Sequence, residues 1–123
     1  LAGHSVDGVI LSTVLCCNPD KNTQEKLINE IYRLLKNQGI LYLCDFLITR
    51  SEKYLSRYEK HAKPGSEDYG TYWTSDGVAV RHHSIHWIFT ILKQFDIQWL
   101  EQLDDVTMNG NAVRTFHLIA QKL

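Results

Sequence analysis

Three histidines fall within five residues of this chain: His82, His83 and His86, in the run Arg81-His82-His83-Ser84-Ile85-His86. Imidazoles so spaced invite proton transfer or metal ligation, and His82 and His86 would share a face if both were helical. Ser84, however, is placed to cap a helix that begins after the two leading histidines, which spoils that geometry. No carboxylate or cysteine pair of matching spacing lies nearby, so no metal site is expected. The two junction histidines then either line a ligand pocket or serve as surface and capping residues. Asp45 ends an apolar run, where a carboxylate can orient a reacting group, take its proton or cap a turn. Ser12 and Thr13 sit within another apolar run and can line a pocket or close a strand. Tyr54, Tyr58, Tyr69, Tyr72 and Trp73 can stack on a flat or apolar ligand, or equally form a small satellite core. Arg50, Lys53, Arg57 and Lys60 recur at helical spacing, but Glu52 and Glu59 interleave them, which favours a solvated face over a phosphate or nucleic-acid contact. Cys16 and Cys17 are neighbours without any Cys-x-x-Cys motif and read as core residues.

These groups need elements to hold them. Val9 to Leu15 is nearly unbroken apolar and β-branched, as expected of a strand covered on both faces. Asn18-Pro19-Asp20 breaks it, and Asn22 with Glu25 offers a capping-box start to a helix. Leu27, Ile28, Ile31, Leu34 and Leu35 then form one apolar stripe. Gly39 is suited to the left-handed position that ends a helix, and Ile40 to Cys44 reads as a second buried strand. A strand–helix–strand unit implies parallel pairing with a right-handed crossover, and such sheets place ligands at the carboxyl ends of their strands.

Further on, Glu52 to His61 reads as a short helix with Tyr54, Leu55 and Tyr58 inward. An aromatic loop follows, and Gly77 to Arg81 as a short extended piece. Trp87, Ile88, Ile91, Leu92 and Phe95 stripe a helix started by Ser84. Ile97, Trp99 and Leu103 alternate with polar residues as in a half-exposed strand. Asn109-Gly110 signals a hairpin into a last strand, Val113 to Gln121, so the C-terminal pair is antiparallel and appended to a parallel sheet.

Composition narrows the class. The 123 residues are 44% hydrophobic and carry a formal net charge of −1, which fits one globular domain with a real core. That charge gives no general attraction to nucleic acid or anionic membranes. No apolar stretch approaches the roughly 18 residues a span needs, so neither a membrane nor a nucleic-acid partner is expected. Three cysteines without framework spacing indicate reduced thiols and a cytoplasmic setting.

The order strand, helix, strand, irregular insert, helix, strand, hairpin, strand resembles the C-terminal half of class I S-adenosylmethionine (SAM)-dependent methyltransferases. Val6-Asp7-Gly8-Val9-Ile10-Leu11-Ser12-Thr13-Val14-Leu15 resembles the family's fourth strand. Leu34-Leu35-Lys36-Asn37-Gln38-Gly39-Ile40-Leu41 is similar to its turn into the fifth, with Asn37 and Gln38 in place of the usual proline and first glycine. The implied fold is α/β: part of a Rossmann-like sheet, two parallel strands plus a terminal antiparallel hairpin, with helices packed on it. It forms a single partial domain over residues 1–123, with an insert at 47–80 where the family often places an acceptor lid.

By this resemblance Leu11, Ser12 and Thr13 line the methionine end of the cofactor SAM. Phe46, Tyr54, Tyr58, Tyr72 and Trp73 belong to the pocket of a small-molecule acceptor, while Asp45, His82 and His83 are the candidates for a catalytic role. The family's glycine-rich cofactor loop has no counterpart, since no Gly-x-Gly occurs. The resemblance therefore implies a domain cut before its fourth strand, which alone binds SAM weakly or not at all. The open edge of strand 9–15 would then favour self-association, as a dimer or strand exchange. A non-catalytic module that pairs with another chain is the alternative. A nucleotide-linked oxidoreductase is disfavoured by the terminal hairpin and the lack of a phosphate-cradling loop.

Overall fold

The apolar run behind Val6 folds as strand β1, Val6–Ser12, three residues short of the expected end. Leu15 does not extend it. It is fully buried within a 3-10 turn, Leu15–Cys17, which carries the chain off the sheet. The computed structural model describes residues 1–123. Helix α1 follows at Lys21–Leu34, and its cap is Asp20 rather than Asn22: the Asp20 carboxylate accepts from the Thr23 backbone N–H and hydroxyl, each at 2.9 Å. Strand β2, Leu35–Leu47, then starts without an intervening loop and is much longer than Ile40 to Cys44.

The turn into β2 corrects a second expectation. The left-handed residue is Gln38, with φ of 70°, and Gly39 is not left-handed. Gly39 is needed for space instead, because a Cβ there would lie 2.7 Å from the Lys36 carbonyl oxygen and 3.2 Å from that of Asp7. The buried Lys122 ammonium donates to the Tyr32 and Leu35 carbonyls, at 2.6 and 2.8 Å, and so satisfies the end of α1 from the C-terminal end of the chain.

Helix α2, Glu52–His61, opens the insert; strand β4, Ala79–Arg81, falls within the expected extended piece, and it pairs with β3, Thr71–Trp73, where a loop was expected, in a separate two-stranded hairpin. Helix α3, Ile85–Ile91, is capped by Ser84, whose Oγ accepts from the Trp87 N–H at 3.1 Å. Strands β5, Asp96–Val106, and β6, Ala112–Gln121, close the chain. The main sheet runs β1-β2-β6-β5, parallel between β1 and β2 and antiparallel elsewhere, as the resemblance implies.

One face of this sheet is covered. Leu11, Leu41, Leu43, Phe116, Leu118 and Ala120 pack with Ile28 and Ile31 of α1 and Ile88, Ile91 and Leu92 of α3. The buried Gln24 joins the two helices and the 3-10 turn, donating to the Leu15 and Asn18 carbonyls and accepting from the Trp87 indole. The opposite face is covered only where Phe46 and Val113 pack on the tyrosines of the insert. Ile10, Tyr42, Ile119 and Trp99 form one cross-strand row, in which Ile10 is 79% and Trp99 42% exposed. Strand β1 is therefore an edge strand with one apolar face in solvent, contrary to the reading that both faces are covered.

Replacing Gly39 by alanine forces its Cβ into two backbone carbonyls, and a loss of about 1–3 kcal/mol is expected. Gly8→Ala, whose Cβ would meet only the Ile40 carbonyl at an ordinary 3.5 Å, serves as the control and should stay within about 0.5 kcal/mol. Urea midpoints of the two variants measure the difference.

Candidate functional site

Two clefts open at the carboxyl ends of β1 and β2. The smaller, about 490 Å³, is lined by Ser12, Thr13, Cys44, Asp45 and Phe46, by His117 and Thr115 of β6, and by the β5–β6 hairpin from Asp105 to Asn109. Its backbone is strained at Thr13, a β-branched residue at φ 54°. The Thr13 N–H donates to the Cys44 carbonyl at 2.9 Å and its hydroxyl to the Ser12 carbonyl at 2.8 Å, which holds that conformation. Leu11 lies on the covered face within the core and not on this cleft. The Cys44 thiol donates to Ser12 Oγ at 3.0 Å, and the Tyr42 hydroxyl meets His117 Nδ1 at 2.7 Å.

Asp45 is buried at the base of this cleft. Its carboxylate accepts from the backbone N–H of Cys16 at 3.2 Å and of Phe46 at 2.8 Å. Nε2 of the equally buried His83 lies 3.6 Å away, beyond hydrogen-bonding distance, and neither ring nitrogen of His83 has a hydrogen-bond partner. Burial, and after it the Asp45 carboxylate, push the Cys16 thiol far above its ordinary range. Cys16 is thus a core residue as expected, but Cys17 is exposed.

The larger cleft, about 750 Å³, lies between the end of β2, the insert and the start of β6. Leu47, Ile48, Leu55, Tyr69 and Ile85 give it apolar walls, and Arg50, Gln102 and Arg114 give it polar ones. Its frame is backbone. The His83 N–H donates to the Phe46 carbonyl at 3.0 Å and the Ile48 N–H to the His83 carbonyl at 2.8 Å, a parallel bridge between β2 and the segment after β4.

His82 and His83 are therefore neither surface nor capping residues. Both are fully buried, and His82 is the centre of a satellite core with Tyr54, Tyr58 and Tyr72. The hydrogen bonds there can be ordered. The Thr49 N–H donates to the Tyr58 hydroxyl at 3.1 Å, so that hydroxyl donates to His82 Nδ1 at 2.6 Å, and Nε2–H faces the Tyr72 oxygen at 3.3 Å. Burial, reinforced by His83 and opposed by Asp45, pulls His82 down to about 3. Burial likewise pushes Tyr72 up to about 12. The three tyrosines are 7% exposed or less and lie on neither cleft, whereas Trp73, 59% exposed, points away from them. Arg81 anchors the insert: its buried guanidinium donates to the Pro19 carbonyl at 3.0 Å and to that of Glu67.

Sequence reasoning passed over His117, Arg114 and the hairpin residues Asp105 to Met108. The signal that reaches them is strand register: Cys44 pairs with His117 and Leu47 with Arg114, so the antiparallel β6 brings its early residues to the ends of β1 and β2.

No protein-family model and no curated protein sequence matches the chain. Solved structures do. A SAM-dependent methyltransferase from Methanosarcina mazei superposes with a TM-score of 0.88 at 25% identity, over 100% of this chain and 62% of that one. The 1,6-didemethyltoxoflavin-N1-methyltransferase of Burkholderia thailandensis, solved with 1,6-didemethyltoxoflavin and S-adenosylhomocysteine, gives 0.67 at 13% identity over 98% and 45%. The cyclase SpnF gives 0.64 at 14% identity over 99% and 51%. The fold is that of the class I SAM-dependent methyltransferases. More particularly, this chain carries the C-terminal part of their Rossmann-like sheet, and it spans less than two thirds of each of these three proteins.

Tyr58→Phe leaves the Thr49 N–H and His82 Nδ1 without partners in a buried site, and a loss of about 1–3 kcal/mol in thermal or denaturant unfolding is expected. Because His82 is depressed in the folded state, its contribution to stability is complete above the unfolded value near 6.5 and falls as the pH drops towards 3. Nitrogen-15 NMR of the ring should accordingly find the neutral Nε2–H tautomer at pH 4.5, and a titration centred near 6.5 would contradict the assignment. Under native conditions iodoacetamide should modify Cys17 well before Cys16, with peptide mass spectrometry as the readout.

Proposed function

We propose that this chain is the acceptor-side portion of a SAM-dependent methyltransferase acting on a small-molecule acceptor. The observation that carries the reading is the smaller cleft, which opens where this fold binds ligands, at the carboxyl ends of parallel β1 and β2. Its residues fit one end of the cofactor. The Ser12 and Thr13 hydroxyls are suited to polar contacts, and Asp45 and Asp105 with no lysine or arginine beside them suit a cationic sulfonium. When bound, SAM supplies the electrophilic methyl group.

The remaining task falls to the chain's own residues: to hold an acceptor in line and keep water out. Phe46, Val106, Met108 and Val113 supply apolar walls for this. Asp45, whose oxygens already accept two backbone N–H bonds, is better suited to positioning than to proton abstraction. His83 stands beside it, with Nε2 3.6 Å from the carboxylate. Tyr54, Tyr58, Tyr72 and His82 act as the scaffold of the insert, and Trp73 is left as the exposed aromatic at its rim. The insert at 47–80 shapes the acceptor's place and selects it. The three free cysteines favour a reducing, cytoplasmic setting.

A second reading, a non-catalytic module that self-associates or pairs with another chain, is favoured by one observation. Edge strand β1 presents Ile10 and an unpaired backbone to solvent. Calorimetric titration with S-adenosylhomocysteine, with mass measured in the same buffer, separates the two. Since no Gly-x-Gly occurs, a monomer should bind with a Kd no tighter than about millimolar. Tight binding by an oligomer would support a completed cofactor site. A folded oligomer without binding would favour the module, and a monomer at high micromolar concentration would exclude pairing through β1.

A further inference from the structure

The two clefts differ in charge. Among the residues lining the smaller one are Asp45 and Asp105 and no lysine or arginine. Those lining the larger one include Arg50 and Arg114 and no aspartate or glutamate. Leu47, Ile48, Leu55 and Ile85 give the larger cleft an apolar lining beside those arginines, and its volume of about 750 Å³ falls in the range of small-molecule sites.

The frame fixes where the arginines stand. Leu47 pairs with Arg114 across the sheet, and the Arg114 N–H donates to Thr49 Oγ1 at 3.0 Å. Arg50 follows Thr49 directly, and both arginines line the cleft together with the neutral Gln102. Arg114 Nη1 lies 3.6 Å from Asp104 Oδ1, but that aspartate side chain is 86% exposed and does not line the cleft. Such a pair is weak in water, and a carboxylate held against an apolar wall competes with it by bidentate contact.

We propose that the larger cleft binds a small molecule with an apolar body and a single carboxylate, which Arg50 and Arg114 hold. The site rests on its own lining, and only the ligand's role as methyl acceptor rests on the reading above. Substrate orientation would then follow from charge: the carboxylate at the arginines and the apolar body along Leu47 and Ile48.

The probe is 3-phenylpropanoate, titrated into the full chain without cofactor and followed by amide chemical shifts. Saturable shifts confined to Leu47–Arg50, Ile85 and Arg114 are expected at low millimolar Kd or tighter. Arg50→Gln and Arg114→Gln should each weaken binding about tenfold while the remaining spectrum is unchanged. Asp104→Asn, which releases Arg114, should strengthen it two- to threefold. The neutral 3-phenylpropanamide should bind at least tenfold more weakly. Equal affinity for the amide, no response to the arginine variants, or no saturable shift at 10 mM would each overturn the proposal. Because S-adenosylhomocysteine is absent, the outcome is independent of whether the chain binds cofactor.

Discussion

Strand β2 is the constraint from which every candidate functional group takes its place. It is the one strand with a parallel neighbour on one side and an antiparallel neighbour on the other. Its odd-numbered residues from Leu41 to Leu47 are buried against the helices, so its register admits no one-residue slip without exposing all of them. That register sets Asp45 at the mouth of the sheet. Two backbone N–H groups then stabilise the buried carboxylate, one of them from the 3-10 turn that follows β1. Asp45 thereby ties the exit of β1 to the exit of β2, and the smaller cleft exists because those two exits are held together.

The insert is built on a different principle. With few aliphatic residues it cannot make a core of ordinary kind, and it packs tyrosines round one neutral imidazole instead. The chain Thr49–Tyr58–His82–Tyr72 gives each buried polar atom a partner, the condition under which a polar core is tolerated at low dielectric. Backbone bonds between His83 and both Phe46 and Ile48 then join it to the sheet, while the His82 N–H donates to the Gly70 carbonyl within the insert. Gly70 is tied to that segment by space as well: at φ 110° it approaches the His82 carbonyl so closely that a Cβ would lie 2.3 Å from its oxygen.

The periodic elements were legible in the sequence, because apolar spacing reports burial directly. The stripes of α1 up to Leu34 and of α3 up to Ile91, the Ser84 cap and the Asn109-Gly110 hairpin stand where spacing puts them, whereas Leu35 already belongs to β2 and Leu92 and Phe95 lie past the end of α3. What failed was chosen by tertiary context. Asp20 and Asn22 are both competent caps, and the breaking Pro19 settles the start in favour of the first. Gly39 looks like a left-handed terminator, yet the crowding of two carbonyls, and not its φ, is why it is glycine. Leu15 continues the apolar run of β1 but is buried from a turn. At the site, Ser12, Thr13, Asp45 and Phe46 converge on one cleft as strand ends must. His82 could not be read as buried, since its tyrosine partners lie 10 and 24 residues away and nothing local announces them.

The parallel bridge between Leu47 and His83 also bears on how such a domain diversifies. A wall fastened to the sheet by main-chain bonds keeps a fixed outline, to which the stretch between α2 and β3 adds Pro64 and Tyr69. Selectivity in a wall of that kind changes through single side chains along a fixed outline. New preferences can then accumulate one substitution at a time, without first unlearning the fold.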